Sequence, residues 1–259
     1  MILYFSGTGN SRYIAYLLSK EMNDEVISIN DYFKYEKKAV FHSEKPYVFV
    51  TPTYAWQMPQ VVKEWIERAF FSGNTKAYVI LTCGDSIGNA HFFVKRLFQK
   101  KTNLQFMGLE AIVMPENYII MFQATKPKKS IELIEKATVQ TQKLASYIVK
   151  EKTFAHRKYY FGSMMQSTLI NYPFRHFIVS DKGFYASDKC ISCQKCQRVC
   201  PFNNIDFADD HPLWKGHCQH CMACISFCPV EAIEYKNLTK NKARYHMLME
   251  YEKKVEDEL

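Results

Sequence analysis

The first 22 residues, MILYFSGTGNSRYIAYLLSKEM, contain the local pattern on which the fold depends. The apolar run at residues 2–5 predicts a buried strand. It leads directly into the loop Ser6-Gly7-Thr8-Gly9-Asn10-Ser11. After the loop, apolar side chains recur at helical spacing at Ile14, Leu17, Leu18 and Met22. The stretch therefore indicates a strand, a glycine-containing loop and a helix in direct succession.

Further strands and helices alternate along the next 130 residues. Apolar runs bounded by turn-forming residues predict four more buried strands, at residues 26–29, 47–51, 78–82 and 108–114. Stretches of helical length lie at residues 11–22, 59–71, 89–101 and 130–150. The crossover at residues 30–45 carries little helical pattern, so its helix is expected to be short or absent. This alternation predicts an α/β fold, with a doubly wound parallel sheet covered on both faces.

The loop at residues 6–11 is suited to a phosphate group. A phosphate can bind the free backbone N–H groups at a helix N-terminus, with Ser and Thr hydroxyls adding hydrogen bonds and glycines permitting close approach. The loop lacks the Gly-Lys-Ser/Thr ending of nucleoside triphosphate loops and does not match the Gly-x-Gly-x-x-Gly of dinucleotide folds. Mononucleotide binding fits better, although a capped glycine-rich turn remains an alternative for the loop alone.

The same loop resembles the first loop of flavodoxins, Ser/Thr-x-Thr-Gly-Asn-Thr/Ser, which binds the phosphate of FMN. The resemblance implies a flavodoxin-like five-stranded sheet of order 2-1-3-4-5, in which the loops after the third and fourth strands border the same crevice. It implies phosphate contacts from Ser6, Thr8, Gly9, Asn10 and Ser11. It also implies flavin contacts from Pro52, Thr53, Tyr54, Ala55, Trp56, Thr82, Cys83, Gly84 and Asp85.

Three details of these loops bear on the predicted flavin site. Tyr54 or Trp56 is expected to cover the isoalloxazine face. Relatives often carry an aromatic residue where Cys83 stands, so this position departs from the commonest pattern. The loop at residues 114–118 follows an edge strand remote from the switch point of the sheet, and it is not assigned to FMN.

Eight of the nine cysteines lie between Cys190 and Cys228. The run Cys190-Ile-Ser-Cys193-Gln-Lys-Cys196-Gln-Arg-Val-Cys200-Pro201 has the spacing of bacterial ferredoxins, and the run from Cys218 to Pro229 repeats it. Clustered thiols of a reducing cytosol stay available to metal. Structural zinc and unligated thiols are the alternatives, but zinc sites commonly use two separated Cys pairs. The pattern predicts two 4Fe-4S clusters.

The resemblance to two-cluster ferredoxins implies that the fourth cysteine of each run binds the other cluster. One cluster would then be held by Cys190, Cys193, Cys196 and Cys228. The other would be held by Cys218, Cys221, Cys224 and Cys200. We call these two groups the first and the second cysteine set. A module of this size buries little apolar surface, so the clusters are expected to stabilise it.

The chain as a whole resembles the flavodoxin-domain ferredoxin fusion family of anaerobes, which carries both halves in this order. We predict a flavodoxin-like FMN domain at residues 1–152 and a basic, aromatic connecting segment at 153–180, packed between the domains. The predicted two-cluster α+β ferredoxin domain covers residues 181–237. A charged tail at 238–259 is expected to be helical.

Composition restricts the location and the partners of the chain. There are 34 Lys and Arg residues against 26 Asp and Glu, a formal net charge of +8, which favours acidic redox proteins as partners. The cations are spread along the chain without a nucleic-acid-binding signature, so no nucleic acid is expected. The sequence shows neither a secretory signal nor an apolar run of the ~18 to 20 residues that would span a bilayer. We expect a cytoplasmic protein.

Three functions are compatible with these features. The first is electron transfer between FMN and two 4Fe-4S clusters, which interconverts one- and two-electron steps. The second is an FMN-dependent reductase of a small substrate, fed by its own ferredoxin domain. The third is a redox or iron sensor. No catalytic residue is assigned, since Asp85 and His91, the nearest acid or base candidates, are interpreted as a loop cap and a helix-face residue.

Overall fold

The computed structural model describes residues 1–100, 103–155 and 166–247. Its main sheet has five strands: β1 (Ile2–Tyr4), β2 (Val26–Ser28), β4 (Tyr47–Pro52), β6 (Lys76–Cys83) and β7 (Gln105–Val113). Their order is β2-β1-β4-β6-β7, and all neighbouring strands are parallel. The predicted order 2-1-3-4-5 of a flavodoxin-like sheet is therefore confirmed.

Helices cover both faces of this sheet. They are α1 (Asn10–Met22), α2 (Ile29–Lys34), α3 (Gln60–Arg68), α4 (Ala90–Lys100) and α5 (Pro127–Val149). Successive side chains of a strand point to opposite faces, so Val48 and Val50 pack with α1 and α5 while Tyr47 and Phe49 pack with α3 and α4. Both faces are buried, which explains why these strands are continuous apolar runs in the sequence.

A second, two-stranded parallel sheet lies beside the main one. It pairs β3 (Val40–Ser43) with β5 (Phe70–Gly73). The rings of Phe41 and Phe71 stack with their centroids 5.5 Å apart. Neither strand is a continuous apolar run, since β3 reads VFHS and β5 reads FFSG, and both were missed. The helix of this crossover, α2, has only six residues, in agreement with the weak pattern there.

Residues 166–178, which we call the connecting helix, are helical in three consecutive turns: Gln166–Ile170, Asn171–Pro173 and Phe174–Ile178. They pack on the loop that follows β4. The Asn171 side-chain amide donates hydrogen bonds to the carbonyl oxygens of Tyr54 (3.2 Å) and Ala55 (2.8 Å). The remainder of the predicted basic, aromatic stretch, residues 156–165, lies outside the described residues.

The C-terminal module contains two antiparallel strand pairs and two short helices. β8 (Phe184–Ala186) pairs with β11 (Ile233–Tyr235), and β9 (Ile205–Ala208) pairs with β10 (His211–Trp214). The helices are α6 (Lys195–Val199) and α7 (Ala223–Ser226). The apolar core of the module also contains Ile119 and Ile120, which come from the loop after β7. The two parts of the chain therefore share a core.

The predicted helical tail is described only as far as residue 247. Residues 240–241 form a turn, residues 242–246 have no regular secondary structure, and residues 248–259 lie outside the described part. Among the described residues, no helix is both long and apolar enough to cross a membrane.

Candidate functional site

The phosphate loop, residues 6–11, joins β1 to the N-terminus of α1. Gly9 has a φ of +101°, a conformation that glycine adopts without steric cost, and the helix begins at the next residue. The Gly9 N–H donates to Ser6 Oγ (3.1 Å). In the described part of the chain, the N–H groups of Gly7, Thr8, Asn10 and Ser11 have no protein acceptor. This geometry fits the phosphate site that the sequence predicts.

A cavity of ≈ 500 Å³ opens beside this loop, at the carboxyl ends of β1, β4 and β6. This is the crevice at which open α/β sheets bind ligands. The structure brings most of the predicted cofactor residues together in its wall. They are Ser6, Thr8, Asn10, Ser11, Pro52, Thr53, Tyr54, Ala55, Thr82, Cys83 and Gly84.

Three predicted cofactor residues do not line the cavity. Met247 covers Gly9. The Cβ of Met247 lies 2.7 Å from the position that a Cβ atom would take if one were added to Gly9. Trp56 packs against Gly88, with its Cβ 3.1 Å from the equivalent place. Asp85 is exposed. Of the two aromatic candidates for the flavin face, only Tyr54 is in the cavity wall.

The loop after β7 does line the cavity, contrary to its exclusion from the site by sequence reasoning. Pro115, Glu116, Asn117 and Tyr118 are part of the wall. Although β7 is an edge strand, hydrogen bonds hold its loop against the phosphate loop. The Asn10 side-chain amide donates to Pro115 O (2.9 Å), and that of Asn117 donates to Thr8 Oγ1. Like the assigned loops, this loop leaves the carboxyl end of a parallel strand, but its place at the edge of the sheet led to its exclusion.

The connecting helix forms another part of the wall that sequence reasoning did not assign. Asn171, Phe174, Arg175 and His176 contribute to it. The segment carries basic and aromatic residues in the sequence, but nothing in the sequence indicates which loop it would cover. Its placement depends on the hydrogen bonds from Asn171 to the loop after β4.

The eight clustered cysteines surround two separate small cavities. Each cavity is lined by three cysteines of one run and the fourth of the other. The first is lined by Cys190, Cys193, Cys196 and Cys228. The second is lined by Cys200, Cys218, Cys221 and Cys224. The structure thus brings together the two exchanged sets that the ferredoxin resemblance implies.

The backbone repeats between the two runs as closely as the sequence does. The second residue after the first cysteine has a positive φ in both, 50° at Ser192 and 49° at His220. The residue after the second cysteine does so as well, with 56° at Gln194 and 62° at Met222. Few residues other than Gly, Asn and Asp adopt a positive φ readily. The path of the loop around the cavity, and not the preference of these residues, therefore sets their conformation.

Backbone N–H groups point at the cysteine sulfurs. Asn204 N–H donates to Cys200 Sγ (3.4 Å) and Ala232 N–H donates to Cys228 Sγ (3.2 Å), at matching positions of the two halves. Such hydrogen bonds stabilise thiolates and tune iron-sulfur clusters. The four-cysteine cavities and their N–H donors fit 4Fe-4S clusters. In the described ranges, no three His, Cys, Asp or Glu side chains are grouped closely enough for a single metal ion.

Burial controls the protonation of several of these thiols in the absence of iron. It raises the pKa of Cys196 to about 11 and that of Cys221 to about 12. The pKa of Cys224 is likewise raised well above its ordinary value, chiefly by burial. At neutral pH these groups are therefore neutral thiols, and iron must displace their protons when it binds.

The large cavity and the second cysteine set adjoin. Cys218 and Cys221 line the wall of the large cavity as well as their own. Gly7 lies so close to the second set that a Cβ atom there would overlap the carbonyl oxygen of Cys221. Burial, and then the proximity of Cys221 and Cys218, raises the pKa of Tyr54 well above 10.

A buried histidine lies at this junction. The Tyr118 hydroxyl donates to His220 Nδ1 (3.0 Å), and His220 Nε2–H donates to Ser180 O (2.7 Å). Burial lowers the pKa of His220, which keeps the ring neutral at physiological pH. This hydrogen-bonded chain holds the loop between Cys218 and Cys221 against the cavity wall.

The fold and the cysteine cavities define a class of protein, in which a flavodoxin-like α/β domain is joined to a 4Fe-4S ferredoxin module. Residues 189–240 match the family described as 4Fe-4S dicluster domain. A stretch of 53 residues of the chain is also similar to pyruvate synthase subunit PorD from Methanothermobacter marburgensis, with 40% identity. That match covers 20% of this chain and 63% of the subunit, so it spans less than two thirds of the relative.

Solved structures are similar to little more than half of the chain. General stress protein 14 from Treponema denticola, in complex with FMN, has a TM-score of 0.38 at 10% identity and covers 57% of this chain and 98% of its own. The NAD(P)H:quinone oxidoreductase from M. marburgensis has a TM-score of 0.36 at 10% identity, with coverages of 61% and 97%. A flavodoxin from Streptococcus pneumonia TIGR4 has a TM-score of 0.31 at 17% identity, with coverages of 55% and 97%. The fold assignment rests on the strand order of the sheet.

Proposed function

We propose that this chain is an electron-transfer iron-sulfur flavoprotein that passes electrons between FMN and two 4Fe-4S clusters, interconverting one- and two-electron steps. The large cavity would hold FMN, with the phosphate on the loop at residues 6–11. The first and second cysteine sets would each hold one cluster. FMN, when bound, supplies chemistry in steps of one or two electrons, whereas a cluster exchanges one electron at a time.

One observation carries this proposal: Cys218 and Cys221 lie in the wall of the same cavity as the phosphate loop. The contact between Gly7 and the Cys221 carbonyl leaves no room for a solvent layer between them. The second cysteine set would therefore be the one beside the flavin, because no cysteine of the first set lines this cavity. The protein residues bury the second set, exclude water from the junction and hold the two sites in a fixed relation.

The test is the cofactor content and internal electron transfer of the protein, purified and reconstituted anaerobically. We expect one FMN and about eight iron atoms per chain. After rapid mixing with dithionite, flavin and cluster absorbance should equilibrate at a rate on the order of 1 s⁻¹ or faster, as expected of a catalytic step. Flavin and clusters that are both present but do not exchange electrons on this timescale would contradict the proposal.

The ninth cysteine provides a matched control for iron content. Cys83 is buried in the cavity wall and belongs to neither cysteine set. Cys83→Ser should retain about eight iron atoms, whereas Cys221→Ser should lose about four. Equal iron loss in both variants would show that the loss reflects general unfolding instead of ligand removal.

A second candidate, an FMN-dependent reductase of a small substrate, is favoured by the extent of the cavity. Beyond the predicted flavin loops, its wall continues to Gln60, Glu64 and Arg175. The Arg175 guanidinium donates to Gln60 Oε1 (3.4 Å), and the Gln60 amide donates to Glu64 Oε1 (2.9 Å). Reoxidation of the reduced flavin by a small molecule under anaerobic conditions would distinguish this reductase from a carrier that reacts only with redox proteins.

A further inference from the structure

The flavodoxin-like domain places a cation beside the second cysteine set. At the end of α2, Lys34 Nζ donates hydrogen bonds to the carbonyl oxygens of Cys200 (3.0 Å) and Gln197 (3.2 Å). In the other direction, the Asn203 amide donates to Lys34 O (2.7 Å). In the described part of the chain, Lys34 has no carboxylate within ion-pair distance. No described carboxylate therefore neutralises its charge.

Aromatic packing fixes this end of α2 against the ferredoxin module. The Phe202 ring lies 5.2 Å from that of Phe33, centroid to centroid, and 5.9 Å from that of Phe5. Phe202 follows Cys200 by two residues and Phe33 precedes Lys34 by one. Packing between the two parts of the chain thus sets the position of the ammonium group. A flexible surface lysine would lack such packing.

A buried carboxylate is also linked to the same set. Asp181 is 7% exposed, and its Oδ2 accepts hydrogen bonds from Gly216 N–H (2.6 Å) and the Asn204 amide (3.0 Å). Asn204 also donates its backbone N–H to Cys200 Sγ. Asn204 therefore links the Asp181 carboxylate to a cysteine of the second set.

Reduction of a cluster adds one negative charge to it. A nearby cation stabilises the reduced form and an anion destabilises it, and neither effect is strongly screened at a buried site. We propose that Lys34 raises, and Asp181 lowers, the reduction potential of the cluster held by Cys200, Cys218, Cys221 and Cys224. This inference rests on the proposed function. A residue of the flavodoxin-like domain thereby sets the driving force of the nearer cluster.

The test is an EPR-monitored redox titration of the cluster-loaded, full-length protein. Lys34→Met should shift one of the two cluster midpoint potentials to a more negative value and leave the other in place. Asp181→Asn, which can still accept both hydrogen bonds, should shift the same step to a more positive value. Lys34→Arg, which keeps the charge, should restore a potential close to that of the wild type. Lys37→Met is the control, since Lys37 is exposed on the same segment and near Tyr35 instead.

Several outcomes would overturn the inference. These are unchanged potentials in both Lys34→Met and Asp181→Asn, shifts in the same direction, or equal shifts of both cluster steps. If Lys34→Met loses iron, the cluster potentials of two other variants decide whether the inference holds. These are Asp181→Asn, for which the expected shift has the opposite sign, and Lys34→Gln, which also removes the positive charge. Protein that binds no iron under anaerobic reconstitution would overturn the proposed function and this inference together. Two clusters with unresponsive potentials would overturn this inference alone.

Discussion

Gly7 shows how much one missing side chain matters at the junction of the two parts. It lies in the phosphate loop, and the carbonyl oxygen of Cys221 occupies the space that a Cβ atom would need. The obstacle is backbone, which cannot rotate away as a flexible side chain can. Glycine at this position is therefore required by the tertiary contact, in addition to any approach of a phosphate.

We predict that Gly7→Ala lowers the free energy of unfolding by about 1–3 kcal/mol, the usual cost of overpacking. It should also weaken FMN binding, because the loop and the second cysteine set must separate. Denaturant unfolding and flavin fluorescence titration, both under anaerobic conditions, measure the two effects. Gly216→Ala is a control for the unfolding measurement alone, since a Cβ there meets open space and its cost is limited to the φ of +98°. Equal flavin affinity in Gly7→Ala and wild type would contradict the prediction.

At the scale of elements, the two cysteine runs form a repeat in which each run contributes one cysteine to the cavity of the other. Each run supplies three cysteines to its own cavity and one to the other. The fourth cysteine, Cys200 or Cys228, stands before a proline and lies after a short helix, α6 or α7. The helix and the turn after it carry the chain across to the opposite cavity. Neither half can complete its site alone.

Paired substitutions test the exchange directly. Cys200→Ser with Cys224→Ser should remove ligands from the second set only and leave about four iron atoms per chain. Cys200→Ser with Cys196→Ser should remove one ligand from each set and leave almost none. Iron and sulfide analysis after anaerobic reconstitution gives the answer. The reverse result, with about four iron atoms retained in the second pair, would mean that each run binds its own cluster.

The loops after the strands show where element-level prediction succeeds and where it fails. The loops after β1, β4 and β6 were predicted to converge because they follow neighbouring strands of one sheet. The loop after β7 was rejected on the same argument, since β7 is at the edge. Hydrogen bonds from Asn10 and Asn117 bring that loop back to the cavity. Strand order alone does not contain this information.

In the whole molecule, the segment at residues 244–247 links the ferredoxin module to the phosphate loop. The Tyr245 hydroxyl donates to Asn10 Oδ1 (2.7 Å), and Met247 N–H donates to Thr8 O (2.8 Å). Arg244 holds the start of the segment to the module through an ion pair with Glu234 (2.9 Å). The phosphate loop is thus braced by residues almost 240 positions away in the sequence.

This brace should depend on pH through His246. Burial, with smaller contributions from Lys195 and Arg12, lowers the pKa of His246 to about 4, and its ring stacks on Phe227 at 4.3 Å. An undocked His246 would have a pKa near 6.5. As the pH falls, it therefore takes up a proton at a higher pH than the docked form does. Docking is fully favoured above pH 6.5 and is lost as the pH falls from 6.5 towards 4.

We therefore expect the docking equilibrium of this segment to weaken by up to about tenfold between pH 7.5 and 5.5. Hydrogen exchange at residues 244–247 and the FMN dissociation constant measure it at both pH values. His246→Gln should show a smaller pH effect than the wild type, whereas His42→Gln, at an exposed side chain, should match the wild type. Identical pH responses in the wild type and His246→Gln would exclude this role for the histidine.

Local sequence determined the strands of the main sheet and the kinds of group that this protein is built to hold. Buried parallel strands need continuous apolar runs, a phosphate loop needs glycines before a helix, and clusters need closely spaced thiols, so each leaves a pattern within some 12 residues. The contacts of Gly7 with Cys221, of Lys34 with Cys200 and of Met247 with Thr8 were decided only by the tertiary structure. They join residues more than 160 positions apart, and no local pattern specifies which surfaces of two separately recognisable parts will pack together.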